Sequence, residues 1–479
     1  MAARGSHYLT MSESTALSKI LQKEHSTISE RLNVVFRLSL PGMLAQVTEI
    51  MMQYIDAAMA GSLGAAASAS IGLVASSTWF MGSFIWSSSA GFSVQVAHAI
   101  GARNYTKARS ILRQAMLISF CFSLGIALFG ILISMKLPQW LGAEQSLWYN
   151  AKMYFMIFCI FLPVRELNSL AHSMLQCSGN MKTPSIISAM TCFLDVIFNY
   201  FLIFPARDVT LLGMDIHMPG AGLGVIGAQL GTSLAILVAS FFTLYNCLVK
   251  SPVLSITKEK GSWKPQKSVM SEALHIGLPM LLEQAGSSLA QIAQTRIIAP
   301  LGTIAIAANS FAITAESICY MPGYGTGSAA TTLVGQSIGA ERKDLARGFA
   351  WLTTFFGMAI MTVMAILMFF ASPAVFRFLT PVAEVQKLGV EVLRIELLAE
   401  PLFGASIVAT GALRGAGDTL VPGLMSIFSI WGVRIVMAMI LTKSMGLYGA
   451  WIAMATQLCV LGIVLLIRLK REKWLKNLA

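Results

Sequence analysis

Gln46, Glu49, Gln53 and Asp56 follow one another at spacings of 3, 4 and 3 residues, so on a helix all four share one face. Asp195 and Asn199 stand one helical turn apart, and Thr232 lies in a later apolar run. Ionisable groups inside long apolar stretches are costly and mark ion pathways, proton relays or ligand contacts. Two chemistries fit this set. Acids close together in a low-dielectric pocket take up and release protons. Oxygen-only ligands, here two carboxylates, an amide and a hydroxyl, also suit a hard cation such as Na⁺. Neither Asp56 nor Asp195 has an Arg or Lys close by in sequence to pair with. A second set holds Glu283, Gln284 and Gln291 in one run, Glu316 with Tyr320 one turn on, and Glu396 with Glu400. An acid beside an aromatic ring suits an organic cation, so Glu316, Tyr320, Glu283, Gln284 and Gln291 are candidate substrate-cavity residues. Arg296, Arg394 and Arg434 lie in or near the same stretches, which leaves ion pairing as an alternative for these acids. Glu166 beside Arg165 reads as a structural pair.

The elements that must position these residues are membrane helices. Of 479 residues 56% are hydrophobic and 12% charged, about half the charge of a soluble domain. Apolar stretches of about 20 residues or more recur from Val34 to Leu469. Soluble enzyme, nucleic-acid binder and secreted scaffold are poor readings of such a chain. Twelve helices, α1–α12, are expected over 36–59, 70–98, 108–134, 151–176, 184–205, 223–249, 271–298, 305–337, 346–371, 386–412, 421–442 and 447–469. The runs are continuous rather than alternating, which excludes barrel strands.

The net charge of +12 falls in the gaps. Arg103, Lys107, Arg109 and Arg113 follow α2; Lys250, Lys258, Lys260, Lys264 and Lys267 follow α6. Arg342, Lys343 and Arg347 follow α8, and Arg468 to Lys476 close the chain. The opposite gaps are poorer in Lys and Arg, so both termini are expected in the cytoplasm of a multi-pass cell-membrane protein. Residues 1–33 hold no apolar run, so no signal peptide is expected; Met11 offers an alternative start. The seven cysteines are scattered singly, which indicates neither a zinc site nor a disulfide framework.

The chain repeats itself at an offset of 238 residues. Leu40-Pro41 matches Leu278-Pro279, Leu63-Gly64 matches Leu301-Gly302, Ile100-Gly101-Ala102 matches Ile338-Gly339-Ala340, and Pro163 matches Pro401. Further on, Gly224-x-x-Gly227-Ala228 answers Gly446-x-x-Gly449-Ala450 at an offset of 222, so the first half carries a longer α5–α6 loop. Six helices per half return the chain to one side. The expected fold is therefore all-α: twelve transmembrane helices in two parallel six-helix lobes, with a pseudo-two-fold axis along the membrane normal. The expected division is a cytoplasmic N-terminal segment 1–33, a first lobe 34–249, a linker 250–270, a second lobe 271–470 and a tail 471–479. The repeat also exposes an asymmetry. Asp56 answers to Gln294, Asp195 to Val433, Asn199 to Met437 and Thr232 to Met454. A titratable or cation-binding site is expected in the first lobe alone.

The repeated motifs resemble the multidrug and toxic compound extrusion (MATE) family. They are Leu40-Pro41 through Asp56 with Leu63-Gly64, Gly335-Gln336-x-x-Gly339-Ala340, and Leu413-Arg414-Gly415-x-Gly417-Asp418-Thr419 with its weaker copy Leu175-Gln176-x-x-Gly179. The resemblance implies a secondary active exporter of organic cations or drug-like molecules, working by alternating access against H⁺ or Na⁺. It implies that Asp56, Asp195, Asn199 and Thr232 form the cation or proton site, with Glu49 and Gln53 beside it. It implies no cofactor beyond the coupling ion, no enzymatic activity, no nucleic acid, and function as a monomer. Asp precedes Asn on α5 where some members show the reverse, which leaves H⁺ and Na⁺ both open. The alternative is a flippase for a lipid-linked oligosaccharide on a related fold; it would need a cavity rich in Arg and Lys, whereas the intramembrane excess here is acidic. Gly222-x-Gly224-x-x-Gly227 follows a loop rather than a strand and is glycine at a helix start, not a dinucleotide site. Walker A, H-E-x-x-H and G-x-S-x-G motifs are absent from the sequence.

Overall fold

Thr27 sets the start of α1. Its hydroxyl accepts from the Glu30 amide at 3.3 Å, and the Glu30 carboxylate accepts from the Thr27 amide at 3.2 Å. This capping box starts the helix at Ile28 and it runs to Gly61, through Pro41. The computed structural model describes residues 16–211, 214–259 and 261–475. In it α2 spans Ala65–Gly101, α3 Tyr105–Ser134, α5 Lys182–Ile203 and α6 Val225–Tyr245. In the second half α7 spans Lys267–Ile298, α8 Thr303–Gly339, α9 Lys343–Leu379 and α12 Leu447–Lys470.

Two spans break at the same place in the repeat. Helix α4 is Gln145–Ile160 and Leu162–Cys177, bent by 48° just before Pro163. Helix α10 is Ala383–Leu397 and Glu400–Gly415, interrupted just before Pro401. A proline lacks the amide that would continue the ladder and its ring crowds the preceding turn, so each break follows from sequence. Helix α11 runs from Leu420 to Met445 through a π-helical stretch, Ile430–Ile435, which carries Arg434. Gly64 and Gly302, with φ of +102° and +94°, open α2 and α8 in a backbone shape that other residues resist. The repeat read from sequence is thus a repeat of shape.

The extra residues between α5 and α6 form an antiparallel hairpin, β1 (Pro205–Leu211) with β2 (Met214–Ala221). The hydropathy pattern gave no sign of it, because a lone two-stranded ribbon buries too little to leave one.

Among the described residues nine helices are long and apolar enough to cross a membrane alone, ten with the bent α4. Helices α7 and α10 complete the twelve: α7 carries too many polar side chains to count, and the two pieces of α10, 15 and 16 residues long, are each too short. The chain is inside out relative to a soluble protein. Phe378 is 90% exposed and Phe370 76%, whereas Glu166, Asp195, Asn199, Glu396 and Glu400 have no exposed surface. Only a hydrocarbon solvent makes that sorting favourable.

The twelve helices form two lobes of six, and the first helix of each begins in the other lobe. Val34, Val35 and Leu38 of α1 pack with Leu333 of α8, Phe349 of α9, Leu413 of α10 and Leu469 of α12. Val269 and Ala273 of α7 pack with Val96 of α2, Leu112 of α3 and Met174 of α4. This exchange lies at the end of the bundle that carries the Arg- and Lys-rich loops, called here the basic end. Part of that charge is structural. Arg109 donates to the Val253 carbonyl at 2.9 Å and pairs with Glu259 at 2.9 Å, and Arg468 grips Asp418 through Nε and Nη2 at 3.0 and 2.8 Å.

Candidate functional site

Helices α1, α5 and α6 bring the predicted first-lobe residues together. Asn199 lies at the centre: its Nδ2 donates to Asp56 Oδ1 at 2.7 Å and to Asp195 Oδ2 at 3.1 Å. The Asp56 and Asp195 carboxyls lie side by side, and the Thr232 hydroxyl stands next to Asp195. Asp195 Oδ1 and Asn199 Oδ1 are buried and accept no hydrogen bond. Two acceptor oxygens withdrawn from water in this way are costly, and they want a proton, a bound water or a cation between them. Glu49 and Gln53 share the Asp56 face of α1. Glu49 is exposed although protein surrounds it, so it lines a cleft rather than the bundle surface. Gln53 is half-buried.

Helix α6 can approach α5 this closely because position 231 is glycine. A Cβ there would lie 2.1 Å from Asn199 Oδ1 and 2.9 Å from the Asn199 amide nitrogen. Gly231→Ala will therefore push Asn199 off both acids. Overpacking of this kind costs about 1–3 kcal/mol, read as a lower melting temperature of the purified protein with a matching fall in efflux. Gly125→Ala on α3, where nothing lies within 4 Å, will leave both at wild-type values.

Arg165 and Glu166, a structural pair by the sequence reading, do not pair, since neighbours on a helix point about 100° apart. Glu166 accepts from the Ser88 hydroxyl at 2.5 Å. Arg165 instead acts electrostatically on both Asp56 and Asp195, with its guanidinium 4.9 Å from the Phe158 ring. The acids on α1 and α5 do have a cation near them, supplied by α4. Nothing in a 3.6-residue pattern reveals it, because the partner comes from a helix distant in sequence.

The second-lobe acids divide into two groups. Glu316, Glu396 and Glu400 are buried, and Arg434 acts on Glu316 and Glu396. Both oxygens of Glu396 and of Glu400 are buried without a hydrogen-bond partner. Of the arginines weighed from sequence, Arg434 is the one that faces these acids; Arg394 lies over the Phe369 ring at 4.6 Å. Tyr320 packs edge-on against Tyr324 and Phe403 at 5.9 and 5.6 Å. Glu283 is half-buried and faces Arg414 and Ser426, and Arg414 lies over Trp86 of α2 at 4.4 Å. The sequence reading missed Arg414 as a partner of Glu283, although it lies in a motif singled out there. Gln284 is half-buried and Gln291 exposed. Among the described residues no three His, Cys, Asp or Glu side chains converge to hold a metal ion.

Between the lobes, Tyr54 of α1 donates to the Thr314 carbonyl of α8 at 2.6 Å. Nearer the basic end Gln95 of α2 donates to the Val269 carbonyl of α7 at 3.1 Å, and Thr332 of α8 to the Gln176 carbonyl of α4 at 3.1 Å.

The MatE family model matches residues 41–201 and again 279–440, one match in each lobe. The chain belongs to the MATE family. Two matches in one chain restate the internal repeat and place both lobes of this MATE transporter in the same family pattern. Among curated relatives it is 26% identical over 450 residues to "Probable multidrug resistance protein NorM" of Thermotoga maritima, covering 92% of this chain and 93% of that one. The protein of the same name from Neisseria meningitidis serogroup B is 24% identical over 454 residues, covering 91% and 93%. Among solved structures, a MATE transporter in complex with MaD3S superposes with a TM-score of 0.85 at 19% identity, covering 96% of this chain and 98% of that one. An outward-facing multidrug resistance MATE family transporter of the MOP superfamily gives 0.84 at 18% identity, covering 96% and 98%. These superpositions establish the twelve-helix, two-lobe fold.

Proposed function

We propose that this MATE transporter exports organic-cation or drug-like small molecules, exchanging them for H⁺ or Na⁺ by alternating access. The observation that carries the reading is the Asp56–Asn199–Asp195 contact, with two buried oxygens left unpaired inside the first lobe. Such a pocket binds a small cation in one conformation more tightly than in the other, and only that difference can drive a conformational cycle. The relatives' names support the substrate class, and the acids facing the second-lobe interior suit cationic cargo. The lobes are taken as residues 34–249 and 271–470, joined by 250–270, and the basic end as cytoplasmic in a cell membrane. The protein works as a monomer and needs no cofactor beyond the coupling ion.

The test is efflux of a fluorescent cationic dye from proteoliposomes, with Na⁺ and pH gradients imposed separately. At least one gradient will drive efflux above the leak of empty liposomes. Dye movement that ignores both gradients at matched membrane potential would overturn the coupling.

A further inference from the structure

Helices α2 and α8 cross at the basic end through two residues each, and the two pairs are repeat partners. His98 and Gln336 stand 238 residues apart, as do Gly101 and Gly339. The crossing is a backbone contact. A Cβ on Gly101 would lie 2.0 Å from the Gln336 carbonyl oxygen, and one on Gly339 1.9 Å from that of His98. From this point each helix sends one side chain into the opposite lobe. His98 Nε2–H donates to the Gly415 carbonyl at 2.8 Å, and Gln336 Nε2–H donates to the Cys177 carbonyl at 2.7 Å. Cys177 and Gly415 are themselves repeat partners, and each is the last residue of its helix, α4 and α10.

That position decides the chemistry. Carbonyls in the last turn of a helix have no amide four residues on to bond them. No backbone amide donates to Cys177 or Gly415 across the turns that follow them. The two bonds therefore satisfy oxygens that water would otherwise take. A bond of that kind holds in the closed state and exchanges for water at small net cost when the lobes part. Cys177 and Gln336 are 4% and 5% exposed, so the contact is sealed as it stands.

We propose that the α2–α8 crossing is the shut gate at the basic end, with His98 and Gln336 as its paired latches onto the ends of α10 and α4. Both must release before a path to that side opens. The inference rests on the alternating-access reading for its purpose, but its test does not use transport.

Cys177 reports on the gate from within. In a chain keeping Cys177 as its single cysteine, a membrane-impermeant maleimide is applied from the basic-end side and the labelling rate measured. His98→Ala and Gln336→Ala will each raise the rate about three- to tenfold, the worth of one hydrogen bond, and the double variant will raise it further. His98→Gln will restore the wild-type rate, because the amide serves at the repeat-related position. A parallel chain keeping only Cys247, buried in the first lobe, will stay protected in all variants. Wild-type labelling in both alanine variants overturns the latch, and so does His98→Gln labelling as fast as His98→Ala. Loss of Cys247 protection also overturns it, since general loosening would then explain the rates. Raised Cys177 labelling in a chain without gradient-driven efflux would keep the latch and sink the exchange reading. Gradient-driven efflux with unchanged labelling would do the reverse.

Discussion

Asp195→Asn will abolish gradient-driven efflux while dye binding to the purified protein survives. Asparagine keeps the shape and still accepts from Asn199 Nδ2, but it neither titrates nor offers a full charge to a cation. With Asp195 neutral the ion no longer distinguishes the two conformations. Coupling energies of this kind are worth factors of about 5 to 150, so efflux should fall by at least about fivefold, towards the leak. Glu283→Gln, beside Arg414 in the second lobe, will at most weaken efflux or shift substrate preference. The comparison is made in proteoliposomes at matched protein levels. Full efflux in Asp195→Asn together with its loss in Glu283→Gln would put the coupling in the wrong lobe.

Gly339→Ala will shift the resting protein towards the state open at the basic end. The added methyl would sit against the His98 carbonyl, where backbone cannot yield as a flexible side chain can. An overpacking cost of about 1–3 kcal/mol falls on the closed state alone if the crossing parts during the cycle. Each 1.4 kcal/mol is tenfold in an equilibrium constant, so the closed-to-open ratio drops by about one to two orders of magnitude. Spin labels on the basic-end loops of α2 and α8 will show a longer distance population that the wild type lacks. The same distances in both proteins, with normal efflux, would show that the crossing is never the closed point of the cycle.

The sequence revealed much of this protein because a membrane imposes strong rules. A continuous apolar run of 20 residues leaves few choices, and a constant offset turns one lobe into a prediction of the other. The prolines at 163 and 401 even mark the breaks in α4 and α10. The Asp56–Asn199–Asp195 arrangement was legible for the same reason: each polar residue stood alone in an apolar helix and had to face inward. What stayed hidden depends on helices meeting across space. Arg165 faces Asp56 and Asp195 from α4, and its place beside Glu166 in the sequence gives no sign of it. Arg414 reaches Trp86 in the other lobe, and the β1–β2 ribbon carries no periodic signal at all. His98 and Gln336 look unrelated until both are seen to end on helix-terminal carbonyls.

The exchanged first helices bear on how the chain is made. Residues 28–38 leave the ribosome before α2 to α12, yet the surfaces that bury Val34, Val35 and Leu38 come mainly from α8, α9, α10 and α12. A nascent chain that has released only six helices lacks all of them. It can lace α2 to α6 together, but one foot of α1 stays bare beside the membrane surface. The pocket that receives Val269 and Ala273 is, by contrast, waiting when α7 emerges. Assembly is thus lopsided in a molecule that is nearly symmetric when finished: the second half docks on arrival, and the start of α1 is among the last parts to find its place.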